Sequence, residues 1–316
     1  MPPDPPEPRH GRVVLASEID SAVVRGALRA GDAFRLRRGA YLVDGPRSPT
    51  PPDPAARRRV ELARIEAVAR QLAVGTVISH TSAALVWGLP LWSRPDMVHV
   101  VQRHVPGRRK DAGVARHRTT LGADEVVVRH GVPVTSLART VLDCLRTLPA
   151  RDGLVVADAA LRAGADRDDL TRRLTETSGR GVVRARAVVA AADGGAESPG
   201  ESVTRFELLR HGLPAPRTQL VVPTRLGVFR ADMGWEEWRL LVEFDGLVKY
   251  GELSGGDPAR VLFQEKRRQE AIEEEGWRVL RVTSPDLRRG AELVARVERA
   301  VPDRLRPPRV RRGGLR

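Results

Sequence analysis

The chain reads as an α+β protein built from more than one domain. Three observations lead there. Its 316 residues suffice for about two or three domains. Proline- and glycine-rich stretches divide it into blocks. Within the blocks, helical spacing alternates with the period-2 pattern of strands.

The divisions fall at Gly45–Pro54 (GPRSPTPPDP) and Asp193–Gly200 (DGGAESPG). Prolines in the first lack the N–H that a helix interior or central sheet needs, so it reads as a linker. The expected organisation is a small unit over 1–44, a linker over 45–54, a mixed α/β middle unit over 55–192, a C-terminal unit over 197–302 and a tail over 303–316. From Arg304 to Arg316 the tail carries six arginines, two prolines and no acid, and is expected to be disordered.

In the first unit, Asp20 and Ser21 offer helix caps, and Val23, Val24, Ala27 and Leu28 recur at helical spacing until Gly31. Phe34–Val43 (FRLRRGAYLV) reads as a hairpin with Gly39 at its turn. A helix followed by a basic hairpin has the outline of a winged helix. Arg25 and Arg29 share one helical face, and Arg35, Arg37 and Arg38 decorate the hairpin, where they could reach phosphates or base edges. A solvated basic face is the plainer alternative. In the middle unit, after Pro133, Thr135 and Ser136 can cap a helix carrying Leu137, Thr140, Val141, Cys144 and Leu145 on an apolar stripe. Neither His80 with Ser82 nor Asp143 with Cys144 resembles an activated nucleophile.

The C-terminal unit carries the chemistry. A helix starts at Pro199. Strands follow near Gln219–Val222, over Gly227–Trp235 and over Leu240–Asp245. A long helix runs from Pro258 to Glu275, then a strand over Trp277–Val282 and a helix over Asp286–Ala300. That order makes an α/β sandwich around a small mixed sheet. Alternation puts Glu243 and Asp245 on one strand face and Val242 and Phe244 on the other. Asp232 lies at hairpin distance on the preceding strand, and Glu201 on the first helix can reach the same sheet. Carboxylates crowded on a half-dry face repel. They must protonate, find cations or hold a metal. Hard oxygen donors suit Mg2+ or Mn2+. Lys249, just beyond the strand, could orient a water, and Lys266, Arg267 and Arg268 could grip a phosphate backbone. The alternatives are that Arg268 or Arg281 neutralises Glu243, and that Asp245-Gly246 simply turns the chain.

Composition narrows the partners. Lys and Arg outnumber Asp and Glu by 54 to 40, the net charge is +14 and the pI is near 11.2. DNA is the simplest anionic partner, although a GC-rich coding sequence leaves the same imprint. The one cysteine, Cys144, excludes a disulfide framework and a cysteine-based zinc site. No apolar run approaches the roughly 20 residues of a membrane span. The opening MPPDPPEPRHGR has no signal-peptide core. The expected setting is cytoplasmic, with no membrane partner and no small-molecule cofactor.

Two resemblances sharpen these expectations. AGDAFRLRRGAYLV (Ala30–Val43) resembles the wing of the DNA-binding N-terminal domain of AbiEi-type antitoxins from type IV toxin–antitoxin systems. SHTSAALVWGLPL (Ser79–Leu91) and GVPVTSLARTVLDCLRTLP (Gly131–Pro149) resemble the region that follows that wing in long relatives. This implies a winged helix, DNA as partner and a cognate toxin. Further on, PGESVTRFELLRHGLPAP, RADMGW, LLVEFDGLVKY and KRRQEAIEEEGWRVLRVTSPDL resemble, in order, the family called domain of unknown function 559. That family is related to very-short-patch-repair (Vsr) endonucleases of the PD-(D/E)XK superfamily. The resemblance implies a restriction-endonuclease-like sandwich and Mg2+-dependent cleavage of DNA. It places the helix acid on Glu201, the central aspartate on Asp232 and the strand acid on Glu243, with Asp232, Glu243 and Asp245 as metal ligands. The superfamily's lysine position is occupied by Asp245, and the family's own Asp-Gly-x-x-His/Lys ending falls on Asp245, Gly246 and Lys249. The other outcome is a non-catalytic DNA-binding regulator on an inactive nuclease fold.

Overall fold

The computed structural model describes residues 11–51, 53–72, 75–102, 111–246, 258–306, 308–310 and 312–315. Lys249 lies outside them, as does the first half, 103–110, of the basic stretch 103–118. The chain forms two compact units, Met1–Cys144 and Leu145–Arg316. The proline- and glycine-rich stretches at 45–54 and 193–200 therefore lie inside units rather than between them.

In the first unit, β1 (Arg12–Leu15), β2 (Ala33–Arg37) and β3 (Ala40–Val43) form an antiparallel sheet in the order β1-β3-β2. A helix, α1 (Ser21–Ala30), joins β1 to β2. The Asp20 carboxylate accepts the Ala22 N–H, and Gly31, at φ 76°, closes the helix in the left-handed region. The hairpin β2–β3 starts at Ala33, one residue before the sequence indicated, and ends at Val43 as expected. Strand β1 was not foreseen, and α1 is the only helix before the hairpin among the described residues.

Helix α2 (Pro54–Gln71) explains why the proline-rich stretch does not separate two domains. Asp53 caps it through the Ala55 and Ala56 N–H groups, and Pro54 takes the first helical position, where no N–H is missed. The helix is apolar on two sides. Val60, Ala63 and Ala67 pack with Val13, Leu15, Ala40 and Leu42 of the three-stranded sheet. Leu62, Ile65 and Val68 pack with Ile78, Val98, Val100, Val114 and Val134 of a second sheet. That sheet joins β4 (Val77–Ile78), β5 (Val98–Val101), β6 (Val114–His117), β7 (Val126–Arg129) and β8 (Val132–Thr135) in the order β6-β5-β4-β8-β7. Helix α3 (His80–Val86) follows β4, and α4 (Leu137–Thr147) carries the chain onward.

The second unit begins with helices α5 (Ala150–Arg162), α6 (Arg167–Thr175) and α7 (Val182–Ala191) and continues into α8 (Pro199–Arg210). Residues 200–209 of α8 are all buried. Among them Arg205, 2% exposed, donates to both carboxylate oxygens of Asp158 on α5, at 3.0 and 3.2 Å, and to the Ala191 carbonyl at 2.7 Å. Asp158 also accepts the Asp193 N–H at 2.7 Å. One buried ion pair thus ties α5, α8 and the end of α7.

Beyond α8, β9 (Arg217–Thr224), β10 (Gly227–Trp235), β11 (Leu240–Asp245) and β12 (Arg278–Thr283) form a mixed sheet in the order β12-β11-β10-β9, with only β11 and β12 parallel. Helix α9 (Pro258–Glu274) supplies Ile272 to a core of Leu220, Val222, Ala231, Leu241 and Trp277 on one sheet face. On the other face the ring of Phe244 lies against Gly200 of α8. A Cβ at 200 would come within 2.0 Å of that ring, so only glycine fits. Helix α10 (Gly290–Ala300) packs beside α8 and β12. Helices thus cover both faces, in the order of elements that the sequence predicts. Among the described residues, no helix is long and apolar enough to cross a membrane.

The C-terminal tail differs from the expectation of disorder. The Val310 N–H donates to the Gly212 carbonyl at 2.9 Å, Arg309 forks onto Glu298 at 2.8 and 2.9 Å, and Arg312 donates to the Leu209 and Leu213 carbonyls at 3.1 and 2.8 Å. Leu315 is fully buried. One of the arginines that suggested a solvated tail, Arg312, instead satisfies carbonyls at and just beyond the C-terminal end of α8, where cations are favoured.

Removing either partner of the Asp158–Arg205 pair leaves an uncompensated buried charge. Arg205→Met or Asp158→Asn should each cost about 3–5 kcal/mol in denaturant unfolding. A double apolar replacement should cost less than the two single changes added together, because neither charge is then left alone.

Candidate nucleic-acid-processing site

The acids that the sequence singled out meet at one end of the β10–β11 hairpin. The strands pair from Trp235↔Leu240 to Met233↔Val242, and pairing ends there. The next residues on each strand are Asp232 and Glu243. In place of the backbone ladder, Asp232 Oδ2 accepts the Phe244 N–H at 2.7 Å. The local cause lies on β9 and β10. Gln219 has φ 52°, a left-handed conformation uncommon for a non-glycine residue. Opposite it, the register passes from Ala231↔Leu220 to Met233↔Thr218 without a pair at Asp232. Alternation breaks as well. Leu220 and Ala231 share a core with Leu241, yet a Cβ at Gly234, three residues from Ala231, would also touch both Leu220 and Leu241. An irregularity of this kind re-aims one side chain, and the side chain here is Asp232.

Glu243 lies on the α9 face with Leu241, as alternation requires, and its side chain is 15% exposed. Arg268 of α9, one turn before Ile272, donates to Glu243 Oε1 at 2.7 Å and stacks over Phe229. Glu265 lies 3.8 Å from Arg268 and also pairs with Arg281, the Cα partner of Glu243 on β12. Acid and base therefore alternate along this face. Of the two cations the sequence offered to Glu243, Arg268 makes the hydrogen bond and Arg281 goes to Glu265. Asp245 follows on the same face, opposite Thr283.

Glu201 comes from α8, where it also does a structural job. Ser198 caps the helix by accepting the Glu201 N–H at 3.2 Å, and Glu201 Oε2 reaches back to the Glu197 N–H at 2.7 Å. This is close to a capping box, a signal legible in the sequence as Ser198-x-x-Glu201. Burial foremost pushes Glu201 above the ordinary glutamate range. The Glu197 N–H opposes it, and the Asp232 charge adds to it. Glu243 is raised by burial foremost, drawn back by Arg268 and raised again by Asp232. Glu201 and Glu243 thus both feel Asp232, and the three carboxylates form one electrostatic neighbourhood. Their oxygens do not close into a tight ligand set. Among the described residues, the group whose ligand atoms all lie within 4.8 Å of one another is His80, His99 and His117, in the first unit.

The basic residues divide. Arg25, Arg29, Arg35 and Arg38 are exposed on the first unit. Arg37 is not available in the same way: it is half-buried and ion-paired with Asp111. Lys266 is 75% exposed, and Arg267 is exposed beside the Phe263 ring. Cys144 is fully buried, its thiol pKa driven up by burial, and Asp143 pairs with Arg139 at 3.0 Å. Ser82 accepts the His99 N–H at 2.9 Å. None of these is arranged as an activated nucleophile.

A carboxyl whose pKa is higher folded than unfolded takes up a proton on folding, so stability falls as pH rises through the interval between the two values. For Glu201 that interval starts near 4.5 and extends upward. Glu201→Gln keeps an oxygen for the Glu197 N–H and removes the charge. Its urea midpoint should exceed that of the wild type at pH 7.5, and the two should converge near pH 4.

No protein-family model matches the chain. Over 169 residues it is 35% identical to the uncharacterized proteins Rv2248 and MT2308 of two Mycobacterium tuberculosis strains, a match covering 52% of this chain and 60% of each relative. The chain thus spans about three-fifths of the length of these relatives. A crystal structure of the Rv2827c protein from Mycobacterium tuberculosis is similar over 56% of this chain and 70% of that one, at 16% identity and a TM-score of 0.35.

Proposed function

We propose that the second unit carries a metal-dependent site that hydrolyses phosphodiester bonds of DNA. One observation carries the reading: Glu201, Asp232 and Glu243, from one helix and two strands, share an electrostatic neighbourhood where β10 and β11 stop pairing. The donors suit a hard cation. They are all carboxylate oxygens, and Mg2+ typically takes one or two carboxylates and keeps its waters. Asp232 and Glu243 would hold Mg2+ or Mn2+, with Asp245 beside them on the same face. When bound, such an ion polarises the phosphodiester and lowers the pKa of a coordinated water. The residues of the chain position the DNA. Lys266 and Arg267 present cations from the exposed side of α9, and Lys249 is the candidate for orienting the attacking water. Arg25, Arg29, Arg35 and Arg38, in a unit with a winged-helix-like hairpin, add affinity for the phosphate backbone.

With Mg2+ or Mn2+, the full chain should cut plasmid DNA, and EDTA should stop it. Asp232→Ala should lower the rate at least about a hundredfold. Lys249→Ala should lower cleavage while leaving Mn2+ affinity in place. Loss of both, or of neither, would count against its role.

A second reading rests on the Arg268–Glu243 hydrogen bond, which already neutralises the strand acid. On that reading the unit is a non-catalytic scaffold and the chain a DNA-binding regulator, with a cognate toxin as partner. It predicts metal-independent binding to a defined operator, unchanged by Asp232→Ala and weakened by Arg25→Ala. Under either reading affinity falls steeply with salt as phosphate counterions are released.

A further inference from the structure

In the first unit, three histidines from separate segments come together. His80 opens α3, His99 lies on β5 and His117 ends β6. Their rings stack, with centroids 3.7 Å apart for His80 and His117, 5.1 Å for His99 and His117, and 5.4 Å for His80 and His99. Each offers one ring nitrogen, and the three nitrogens lie within 4.8 Å of one another. We propose that His80, His99 and His117 form a three-imidazole site for a divalent transition-metal ion of the zinc class.

The backbone holds the three in place. The Ser79 N–H donates to the His99 carbonyl at 3.0 Å, and the His99 N–H donates to Ser82 Oγ at 2.9 Å, so β5 is clamped to the segment that carries His80. Strands β5 and β6 pair in parallel with Val101 opposite His117, and the Gln102 N–H donates to the His117 carbonyl at 3.2 Å. His80 itself sits at φ 52°, a conformation costly for a residue with a Cβ and one that collects at ligand sites. This strain is an observation separate from the clustering of the rings.

The donor chemistry selects the ion. Imidazole suits Zn2+, Ni2+ and Cu2+ rather than Mg2+. At a Zn–N distance of about 2.0–2.1 Å, tetrahedral ligand nitrogens stand about 3.3 Å apart. His99 Nδ1 and His117 Nε2, at 2.9 Å, are already close to that spacing. The third joins when the His80 ring tilts out of its stack on His117, so that its in-plane lone pair turns toward the other two nitrogens. The contact between these two nitrogens needs one N–H and one lone pair. In the metal complex both nitrogens offer lone pairs, and the hydrogen moves to the other nitrogen of its own ring. Nothing is oxidised or lost. Ser79 Oγ, 3.0 Å from His80 Nδ1, sets the orientation of that ring as outer-shell partners of metal-bound histidines do. His80 is buried while His99 and His117 are half-buried, so a fourth coordination position would open toward solvent, where water fills it. The site is independent of the carboxylates of the second unit and survives the failure of the nuclease reading.

The test uses the tag-free full chain, stripped with EDTA and titrated with Zn2+ against a chromophoric chelator. The expected result is one ion per chain, with affinity at least about a hundredfold weaker in His117→Gln and about tenfold weaker in Ser79→Ala. Control His211→Gln should bind like the wild type. Co2+ should give the visible bands of a tetrahedral site in the wild type, and His99→Gln should lose them. Zn2+ should raise the thermal midpoint of the wild type and not of His117→Gln, because only the folded chain holds the three rings together. If His117→Gln does not fold, His99→Gln takes its place in every arm. Absence of zinc binding by the wild type at about 100 µM free Zn2+ overturns the proposal. So does binding of equal strength in folded His117→Gln and His99→Gln.

Discussion

The second unit depends on a charge that it has taken out of water. Arg205 sits in the middle of a helix whose residues 200–209 are all buried, and such a cation is tolerable only beside an opposite charge that it can bond directly. One nitrogen, Nη2, gives every bond found: it donates to both oxygens of Asp158 and to the Ala191 carbonyl, while Nε is buried without a partner among the described residues. Asp158 is in turn held by the Asp193 N–H. An apolar core would accept small rotations of α8. This arrangement accepts one register, because hydrogen bonds to a buried guanidinium are directional and costly to leave unmade. The consequence reaches the candidate site directly. Gly200 and Glu201 lie one turn before Arg205 on the same helix. Fixing Arg205 fixes where Gly200 meets the Phe244 ring and where the Glu201 carboxylate lies relative to Asp232.

Much of this unit was legible in the sequence, for reasons that can be named. The bounds of β10 and β11 follow from period-2 alternation between turn residues, and the start of α8 from Ser198-Pro199. Both signals are local. Glu243 and Asp245 share a face because two residues along a strand always do. What stayed hidden depends on contacts distant in the chain. No pattern announces that Gln219 adopts φ 52°, since that conformation normally calls for glycine, and so the turn of Asp232 into the gap between strands could not be read. Arg37 looked like a free cation until Asp111, 74 residues away, claimed it. The tail looked solvated because its composition is that of a disordered segment, whereas Arg312 serves carbonyls about a hundred residues earlier and Arg309 pairs with Glu298. The histidines at 80, 99 and 117 have no short metal-ligand spacing. Only the pairing of β5 with β6 and the clamp between His99 and residues 79–82 bring them together.

The carboxylate face is poised between two ways of settling its charge. Burial foremost, with the Asp232 charge adding to it, raises the pKa of both Glu201 and Glu243, so a charged carboxylate is costly at either position. Arg268 relieves part of that cost. A divalent ion would relieve more, and would compete with Arg268 for Glu243. That competition need not be pure loss. Released from Glu243, the guanidinium of Arg268 would remain over Phe229 of β10, and its helix, α9, also presents Lys266 and Arg267. A phosphate group is the natural acceptor for a planar donor freed there. The ion pair would then be the resting form of a site in which substrate and cation arrive together, the phosphate taking the arginine and the cation taking the acid.

The two candidate metal positions call for opposite donor chemistry, and this constrains what each can do. Carboxylate oxygens hold a hard ion weakly and leave it hydrated, which suits a cofactor that meets its substrate at the site. Three imidazoles clamped by strand pairing hold a borderline ion more tightly and with less freedom. Because His80, His99 and His117 come from α3, β5 and β6, an ion among them would tie together three segments of the five-stranded sheet region that is now joined by hydrogen bonds and ring stacking. Cross-linking of that kind stabilises the folded chain in proportion to how poorly the unfolded chain can assemble the same ligands. With ligands 18 and 19 residues apart, the unfolded chain assembles them poorly, so the larger share of the binding energy would go to holding the first unit together.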